Sequence, residues 1–279
     1  MTTPKLLQIG HSPDADDAFM FYAIASGAVG MPGYKVDHVM KDIQSLNELA
    51  YKSELPVTAI SAAVYPRIAD KYRIMDCGAS AGRQYGPIIL ARKGFEGKGL
   101  KGKKVGIPGV NTTAYMLSRI YHQGFEPVFL NFDTVMQAIQ KGEVEAGVII
   151  HEGQITYHES GLVKVADLGE EWFADTKLPI PLGLDVVRRS DGEVMAKAMT
   201  KMLRDSIIYA RAHEDAAVDY AMQYGRGLDR ETCRRFVRMY VNDDTVSLGV
   251  EGRKALEALY SRAAARGLIN KVPPLDIVV

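Results

Sequence analysis

Short apolar runs alternate with amphipathic, helix-like stretches through the first half of the chain. Three of these runs are residues 6–9, 57–60 and 104–107. Strands that alternate with helices predict parallel strands joined by right-handed crossovers. Later patterns have helical periodicity, over residues 192–213, 214–224, 230–241 and 251–266. The chain is therefore predicted to be α/β, with a helical C-terminal tail.

The apolar run at 146–150 is the most informative of these patterns. Its β-branched residues follow Glu145 and are typical of a strand buried on both faces. Sheets of this kind bind ligands at the carboxyl ends of their strands. His151 comes next, so a titratable imidazole stands where a ligand is expected. A histidine at a strand end is also typical of a hydrogen-bonded structural residue, and position alone leaves both readings open.

Two segments interrupt the alternation and predict connections between lobes. Residues 94–104 are rich in glycine and lysine, and residues 178–183 hold two prolines among three apolar residues before a glycine. If both segments cross between lobes, residues 92–184 form an inserted small lobe. Residues 1–91 and 185–279 then form a discontinuous large lobe, and a ligand cleft lies between the two.

The first strand-to-helix turn is acidic. Ser12 is expected to cap a helix that has Pro13 at its first position. Asp14, Asp16 and Asp17 then fall at the positive end of the helix dipole. These carboxylates would repel an anion. They are expected either to stabilise the helix only or to make the turn a site for hydroxyl groups.

The third strand-to-helix turn, residues 108–115, has no acid. Its helix-opening N–H groups and the hydroxyls of Thr112 and Thr113 suit a carboxylate or a phosphate. Threonines at a helix start are as often simple caps, so both interpretations stand. Ser61 takes the same position after the second strand, where a helix cap is the leading interpretation.

Charge and composition narrow the range of partners. Lys and Arg number 34 and so do Asp and Glu, so no net field attracts nucleic acid or an anionic membrane. The only cysteines, Cys77 and Cys233, do not make a disulfide framework. Neither a signal-peptide pattern nor a membrane-spanning run is found. We expect a soluble cytoplasmic protein that binds a small molecule, and its oligomeric state stays open.

Motifs for several kinds of chemistry are missing. No Gly-x-Ser-x-Gly elbow, Walker loop or Cys-x-x-Cys is present. His151, Glu152 and His158 do not have the His-Glu-x-x-His spacing of a zinc site, so no metal is expected. The glycine pattern at 97–102 precedes a strand instead of following one, which disfavours a dinucleotide site. No cofactor is predicted.

Longer strings carry a resemblance to a known family. They are His11-Ser12-Pro13 with Asp17, Gly86-Pro87, Asn111-Thr112-Thr113-Ala114-Tyr115, residues 142–152 ending in His151-Glu152, Asp167-Leu168-Gly169 with Trp172, residues 178–183, and Tyr240-Val241-Asn242. In these strings the chain resembles, nearly from end to end, the 1,4-dihydroxy-6-naphthoate synthase family of the futalosine route to menaquinone. One departure is the first turn, where the family commonly has Ser-Pro-Cys-Pro-Asn-Asp and this chain has Asp14 and Asp16 instead of the cysteine and the asparagine.

The resemblance implies a two-lobed fold like that of type 2 periplasmic binding proteins, with mixed sheets. It implies a lyase that acts, without a cofactor, on the small-molecule carboxylate cyclic dehypoxanthine futalosine, with His151 as general base. The implied substrate-binding residues are Ser12, Asp17, Ser61, Asn111, Thr112, Thr113 and Ala114. Two rivals are a chorismate-dehydratase-like enzyme of the same pathway and a solute-binding protein without catalysis. The position of His151 and the Pro179-x-Pro181 string favour the synthase.

Overall fold

Two mixed β-sheets organise the molecule. The computed structural model describes residues 3–95 and 97–279. Met1, Thr2 and Glu96, which fall in the segments read for a signal peptide and for a connector, lie outside the described residues. The predicted α/β class with mixed sheets is confirmed.

The first sheet combines strands from both ends of the chain. Its strands are β1 (Lys5–His11), β2 (Tyr34–Met40), β3 (Val57–Ser61), β4 (Tyr72–Met75), β5 (Ser80–Gly82), β11 (Ile180–Arg188) and β12 (Ile277–Val278). Within the described residues their order is β12-β4-β11-β3-β1-β2, and β5 also pairs with β11. Strands β1, β2 and β3 are parallel, whereas β11 is antiparallel to β3, β4 and β5. Strand β11 therefore ties three strands together.

The second sheet comes from one continuous part of the chain. Its strands are β6 (Ile88–Arg92), β7 (Lys104–Ile107), β8 (Glu126–Phe129), β9 (Ala146–Ile149) and β10 (Leu162–Asp167). The order is β10-β6-β9-β7-β8. Strand β9 lies between antiparallel β6 and parallel β7, and all four of its residues are buried. The buried strand predicted before His151 is confirmed.

Helices cover the sheets and form the C-terminal tail, as predicted. They are α1 (Ala15–Ala25), α2 (Ile43–Tyr51), α3 (Thr113–Tyr121), α4 (Val135–Lys141), α5 (Gly153–Thr156), α6 (Leu168–Thr176), α7 (Glu193–Ala212), α8 (Glu214–Ala221), α9 (Arg230–Tyr240), α10 (Asp243–Val246) and α11 (Gly249–Ala265). Short 3₁₀ helices lie at Ala62–Arg67, Tyr157–Ser160, Arg189–Asp191 and Met222–Tyr224. None of the described helices is long and apolar enough to cross a membrane.

Helix α1 is the most enclosed of the helices near the cleft. It packs against α7, α8 and α9, and its residues Phe19, Met20 and Phe21 are almost fully buried. Because the first turn of the helix is enclosed as well, the side chains of Asp16 and Asp17 are buried too. Acids that would normally be solvated are thus held inside the protein.

The chain crosses from the first sheet to the second after β5 and before β6. It crosses back after α6 and before β11. The segment at 94–104 joins β6 to β7 within the second sheet, so its prediction as a crossing is wrong. The glycines there serve turns, since several have a positive φ. The segment at 178–183 does lie at the second passage. The division into lobes at residues 92 and 184 stays a prediction.

Candidate active site

A cleft of about 950 Å³ of empty space, part of it open to solvent, lies between the two sheets. It is bordered by the turns that follow β1, β3, β7 and β9, which are the carboxyl ends of those strands. Predicted site residues that line it are Ser12, Asp17, Ser61, Thr112, Thr113, Ala114 and His151. Asn111 is not among the lining residues. Four strand ends that are far apart in sequence therefore meet at one cavity.

His151 stands on the cleft wall directly after β9. Its side chain is only 15% exposed, and its ring packs edge-on against Phe132, with the centroids 5.6 Å apart. The Gly153 N–H donates to Nδ1 at 3.0 Å. A neutral imidazole that accepts at Nδ1 carries its proton on Nε2. That Nε2 atom is buried and has no partner among the described residues.

Burial is the main influence on the charge of His151. It lowers the pKa of the imidazole below its ordinary value of 6.5; the Glu152 carboxylate opposes this, and the Arg226 guanidinium adds to it. The ring is therefore neutral at pH 7. A neutral imidazole can accept a proton, which is the state that a general base needs.

The turn after β7 uses its threonine hydroxyls within the protein. Thr112 caps α3, because its Oγ1 accepts the Tyr115 N–H at 3.2 Å and donates to the Gly109 carbonyl. The Thr113 hydroxyl accepts the Ala63 N–H and donates to the Leu182 carbonyl at 2.6 Å. Both hydroxyl protons are thus already donated. Because the Tyr115 N–H is already bonded to Thr112, the donors that this turn can offer a ligand are the backbone N–H groups of Thr113 and Ala114, which open α3 and lack helical partners.

Ser61 is held by a residue that the sequence pattern did not reveal. Its hydroxyl accepts from the Asn47 side chain at 3.1 Å, and its N–H donates to the same amide at 2.9 Å. Ser61 makes no side-chain cap to the 3₁₀ helix that follows. Its hydroxyl proton is donated to none of the described residues, so it is available to a ligand. Asn47 itself is fully buried on α2. An amide next to the apolar residues of a helix was the one sequence signal that could have indicated this role.

Asn111 faces α2 instead of the cleft. Its N–H donates to the Gln44 side chain at 3.0 Å, and its own side chain accepts from the Tyr51 hydroxyl at 3.0 Å. These bonds fasten the turn after β7 to the first sheet's helix. Asn111 therefore supports the position of the turn without lining the cavity.

The acidic turn differs from its prediction. Helix α1 begins at Ala15, with Asp14 at the cap position and no side-chain cap hydrogen bond. Ser12 is therefore not the cap, and its N–H donates to the Asp17 carboxyl group at 2.6 Å. The turn is thereby closed by an internal acid, and the helix starts after Pro13 and Asp14 instead of at Pro13.

Burial raises the pKa of each acid in this turn. It raises the pKa of Asp16 to about 6, with the Glu152 charge adding to the effect. It raises the pKa of Asp17 to about 8, with a further contribution from Asp16. Burial and the neighbouring carboxylates raise the pKa of Asp14 as well, and its Oδ1 has no partner in the described structure. The turn can therefore bind hydroxyl groups through carboxyl groups that are partly protonated at neutral pH.

Arg226 bridges the acidic turn and the second sheet, and no sequence pattern indicated this role. The residue follows the 3₁₀ helix at Met222–Tyr224. Its guanidinium donates to Glu152 Oε2 at 2.9 Å and lies 4.6 Å from the centre of the Phe132 ring. It also donates to the Pro13 carbonyl at 3.4 Å. Arg226 thus brings a positive charge to the acidic end of the cleft.

No group of three or more acids, histidines or cysteines in the described part of the chain is arranged to hold a metal ion. Both cysteines are free and buried. Burial raises the pKa of the Cys77 thiol above its ordinary range, and burial raises the pKa of Cys233 to about 11. Neither thiol has the thiolate character that nucleophilic chemistry requires.

Comparisons with known proteins agree on a family and on a fold. The protein family described as "Menaquinone biosynthesis" matches residues 7–265. A relative from Thermus thermophilus, "1,4-dihydroxy-6-naphtoate synthase", is 40% identical over 96% of this chain and 98% of its own length. A relative of the same name from Streptomyces coelicolor is 36% identical over 96% of each chain.

Solved structures support the same fold. The crystal structure of protein AF1704 from Archaeoglobus fulgidus has a TM-score of 0.91 and 45% identity, covering 95% of this chain and 98% of that one. The ligand-binding component of an ABC-type import system from Staphylococcus aureus has a TM-score of 0.73 at 14% identity, covering 99% and 96%. The predicted periplasmic-binding-protein-like fold is confirmed.

Proposed function

Because the chain belongs to the menaquinone biosynthesis family, we propose that it converts cyclic dehypoxanthine futalosine to 1,4-dihydroxy-6-naphthoate as a carbon–carbon lyase. The observation that carries the proposal is His151, a neutral imidazole on the cleft wall with a buried, unpartnered Nε2. The reaction begins with removal of a proton from the substrate by this ring. Ring opening and loss of the sugar-derived piece follow as the naphthalene becomes aromatic, which supplies driving force.

Glu152 is proposed to orient the base. Its Oε2 lies 3.7 Å from His151 Nδ1, the atom that accepts the Gly153 N–H in this arrangement. In the tautomer that carries its proton on Nδ1, that N–H donates a hydrogen bond to the Glu152 carboxylate. The Nε2 lone pair is then free to take a proton from the substrate. A carboxylate that fixes the tautomer of a catalytic histidine and stabilises its charged form is a recurring arrangement.

The turn after β7 is proposed to bind the substrate carboxylate. The N–H groups that open α3 point from the positive end of a nine-residue helix. Ser61, whose hydroxyl proton is free, lies beside this turn, since the Asn47 side chain donates to both Ser61 and the Asn111 carbonyl, and it can donate to the same ligand. Holding the substrate at fixed points next to His151 supplies the positioning that a proton transfer requires.

Exclusion of water is proposed to come from closure of the two sheets around the substrate. Arg226 already links the acidic turn to Glu152, and the Tyr240 hydroxyl donates to Gln154 across the cleft at 2.6 Å. With water excluded, the electrostatic interactions inside the site become stronger. The cofactor-free reaction and the cytoplasmic location stay predictions.

The test is turnover by the purified protein, without added cofactor, of cyclic dehypoxanthine futalosine. Product is followed by absorbance and mass for the wild type, for His151→Gln and for the exposed-histidine control His158→Gln. We expect His151→Gln to lose roughly 10²- to 10⁴-fold in kcat, the usual contribution of a general base, and the control to match the wild type. Full turnover by His151→Gln would remove the base assignment.

Other outcomes separate the rivals. Consumption of chorismate instead of the futalosine derivative would indicate a dehydratase. Tight binding of cyclic dehypoxanthine futalosine with no product from the wild type would indicate a solute-binding protein, a class that shares this fold.

A further inference from the structure

Asp185 is a buried acid that the mechanism above does not use. It lies in β11 and is 1% exposed. Its Oδ1 is buried and has no hydrogen-bond partner among residues 3–95 and 97–279. An unsatisfied buried polar group costs roughly 1–3 kcal/mol, so such a group in a folded protein calls for an explanation.

The strand register places Asp185 on the cleft side of the first sheet. It pairs with Ala59, and Gly183, two residues earlier in β11, pairs with Ser61. Residues two apart in a strand, and residues directly opposite each other, lie on the same face of the sheet. Ala59, Ser61 and Gly183 all line the cleft. Asp185 therefore lies on the same face of the sheet as these three lining residues, although it is not itself a lining residue.

Small residues surround this part of the floor. Gly78, which lines the cleft, lies so close that a Cβ added to it would be 2.1 Å from Asp185 Oδ2. Gly183 and Ser80, which pair with each other, also line the cavity. The Asp185 carboxyl occupies the space that a Cβ on Gly78 would need, so it lies directly behind the wall of the cleft.

Asp17 is the titratable neighbour of Asp185. Burial, with the charge of Asp17 second, raises the pKa of Asp185 well above its ordinary range. At neutral pH Asp185 therefore has an O–H to donate as well as an oxygen that accepts. Asp17 lines the same cavity and already accepts the Ser12 N–H. The two carboxyl groups thus present both a donor and acceptors to a bound molecule.

We propose that Asp185 and Asp17 form a subsite on the cleft floor that binds hydroxyl groups of the sugar-derived part of the substrate. A hydroxyl group can donate to one carboxyl and accept from the other. The subsite rests on the proposed function for the identity of its ligand. It also orients that ligand, since the acid end of the substrate lies at the turn after β7 and the hydroxyl end lies on the floor.

The decisive variants are Asp185→Leu and Asp185→Asn. We expect Asp185→Leu to raise the thermal midpoint, because it removes an unsatisfied polar group, and to raise KM for cyclic dehypoxanthine futalosine at least tenfold. The fall in kcat should be smaller, since His151 keeps its surroundings. Asp185→Asn keeps a neutral donor and acceptor and should bring KM back to within about fivefold of the wild type, a difference of about 1 kcal/mol.

A purely structural acid provides the control. Asp244 is buried like Asp185 but is bonded to Arg83 at 2.8 Å. Asp244→Leu should lower the thermal midpoint and leave KM unchanged. An unchanged KM in Asp185→Leu would overturn the subsite, whether or not the thermal midpoint changes.

A second measurement keeps the subsite distinct from the proposed reaction. The thermal midpoint is recorded with D-ribose and, separately, with benzoate, for the wild type and for Asp185→Leu. We expect D-ribose to stabilise only the wild type and benzoate to stabilise both proteins. If the wild type fails to turn over cyclic dehypoxanthine futalosine, the proposed function fails. The result with D-ribose then still decides whether Asp185 and Asp17 form a subsite for hydroxyl groups. Equal ribose shifts in the two proteins, or none in either, would overturn the subsite.

Discussion

The turns after β1 and β7 are built alike and carry opposite chemistry. Each follows a strand with parallel neighbours, opens a helix and lines the cleft. After β1, the Asp17 carboxyl group accepts the Ser12 N–H, so the chain supplies an acceptor of its own. After β7, the hydroxyls of Thr112 and Thr113 bind the chain, and the N–H groups that open α3 stay available.

A helix start in a strand-to-helix turn is therefore not an anion site by position alone. What decides is whether the donors there are already bound by an internal acid. The cleft becomes polar as a result, with an end for carboxylates after β7 and an end for hydroxyl groups after β1. Each of the following changes tests that polarity.

Ala114→Asp should have the largest effect, because it makes the turn after β7 acidic as well. Ala114 is buried in the first turn of α3 and lines the cleft. An acid there suits the helix dipole, so the fold should persist while the substrate carboxylate is repelled. Loss of a charged hydrogen bond worth about 3 kcal/mol predicts a fall of about 100-fold in kcat/KM. Steady-state kinetics check this, with Ala114→Ser as the uncharged control, and equal losses in both variants would contradict it.

Arg226→Met should come next, because it removes the cation at the acidic end. Glu152 is 3% exposed and would keep a buried charge without its partner. The Arg226 side chain is 33% exposed, so we expect a loss of about 2 kcal/mol, less than the 3–5 kcal/mol for fully buried pairs. Urea unfolding measures the loss. Adding Glu152→Gln should restore at least half of it, and no recovery would show that Arg226 acts through another contact.

Asp17→Asn should stabilise the fold, and more so at alkaline pH. Asp17 has a pKa of about 8 in the folded protein against 3.8 as its ordinary value. The unfolded chain therefore binds fewer protons between these values, and stability falls as pH rises through that window and stays low above pH 8. An asparagine has no such loss and can still accept the Ser12 N–H. We expect a rise in Tm of about 3 °C at pH 8.5, corresponding to about 1 kcal/mol, and a smaller rise at pH 5. Equal gains at both pH values would contradict the buried-acid explanation.

The smallest effect is a pair of opposite shifts in the pH dependence of kcat/KM. Glu152 raises the pKa of His151, and Arg226 lowers it. Glu152→Gln should therefore move the acidic limb of the profile to lower pH, and Arg226→Met should move it to higher pH, each by about half a unit. The profiles are recorded below the unfolding temperature of each variant. Shifts in the same direction would show that His151 does not set this limb.

Local signals in the sequence were enough to place much of the site. A strand ends where an apolar run ends, so the positions of Ser61 and His151 and the turn at Thr112 could be predicted from short stretches of chain. The helix start near Ser12 was misplaced by a few residues. Asp14 takes the cap position instead, and the Ser12 N–H is bonded to Asp17, five residues away.

Residues that enter the site through distant contacts could not be predicted. Arg226 binds Glu152 across 74 residues, and Asn47 holds Ser61 across 14. No periodicity links such positions. Asn111 shows the converse error: its neighbours in the turn line the cleft, while its own side chain bonds to Tyr51 on α2. Which way one side chain of a turn points depends on packing between elements.

The late position of β11 in the chain determines which of the two sheets can be completed first during synthesis. All strands of the second sheet lie between Ile88 and Asp167, whereas β11, which joins β3, β4 and β5, begins only at Ile180. During synthesis the second sheet is thus completely translated while β3 still lacks its antiparallel partner. The early strands must wait with an unpaired edge, which is the part of a nascent chain most exposed to misassociation. The cleft can form only after that delay, because its floor is the last part of the first sheet's centre to leave the ribosome.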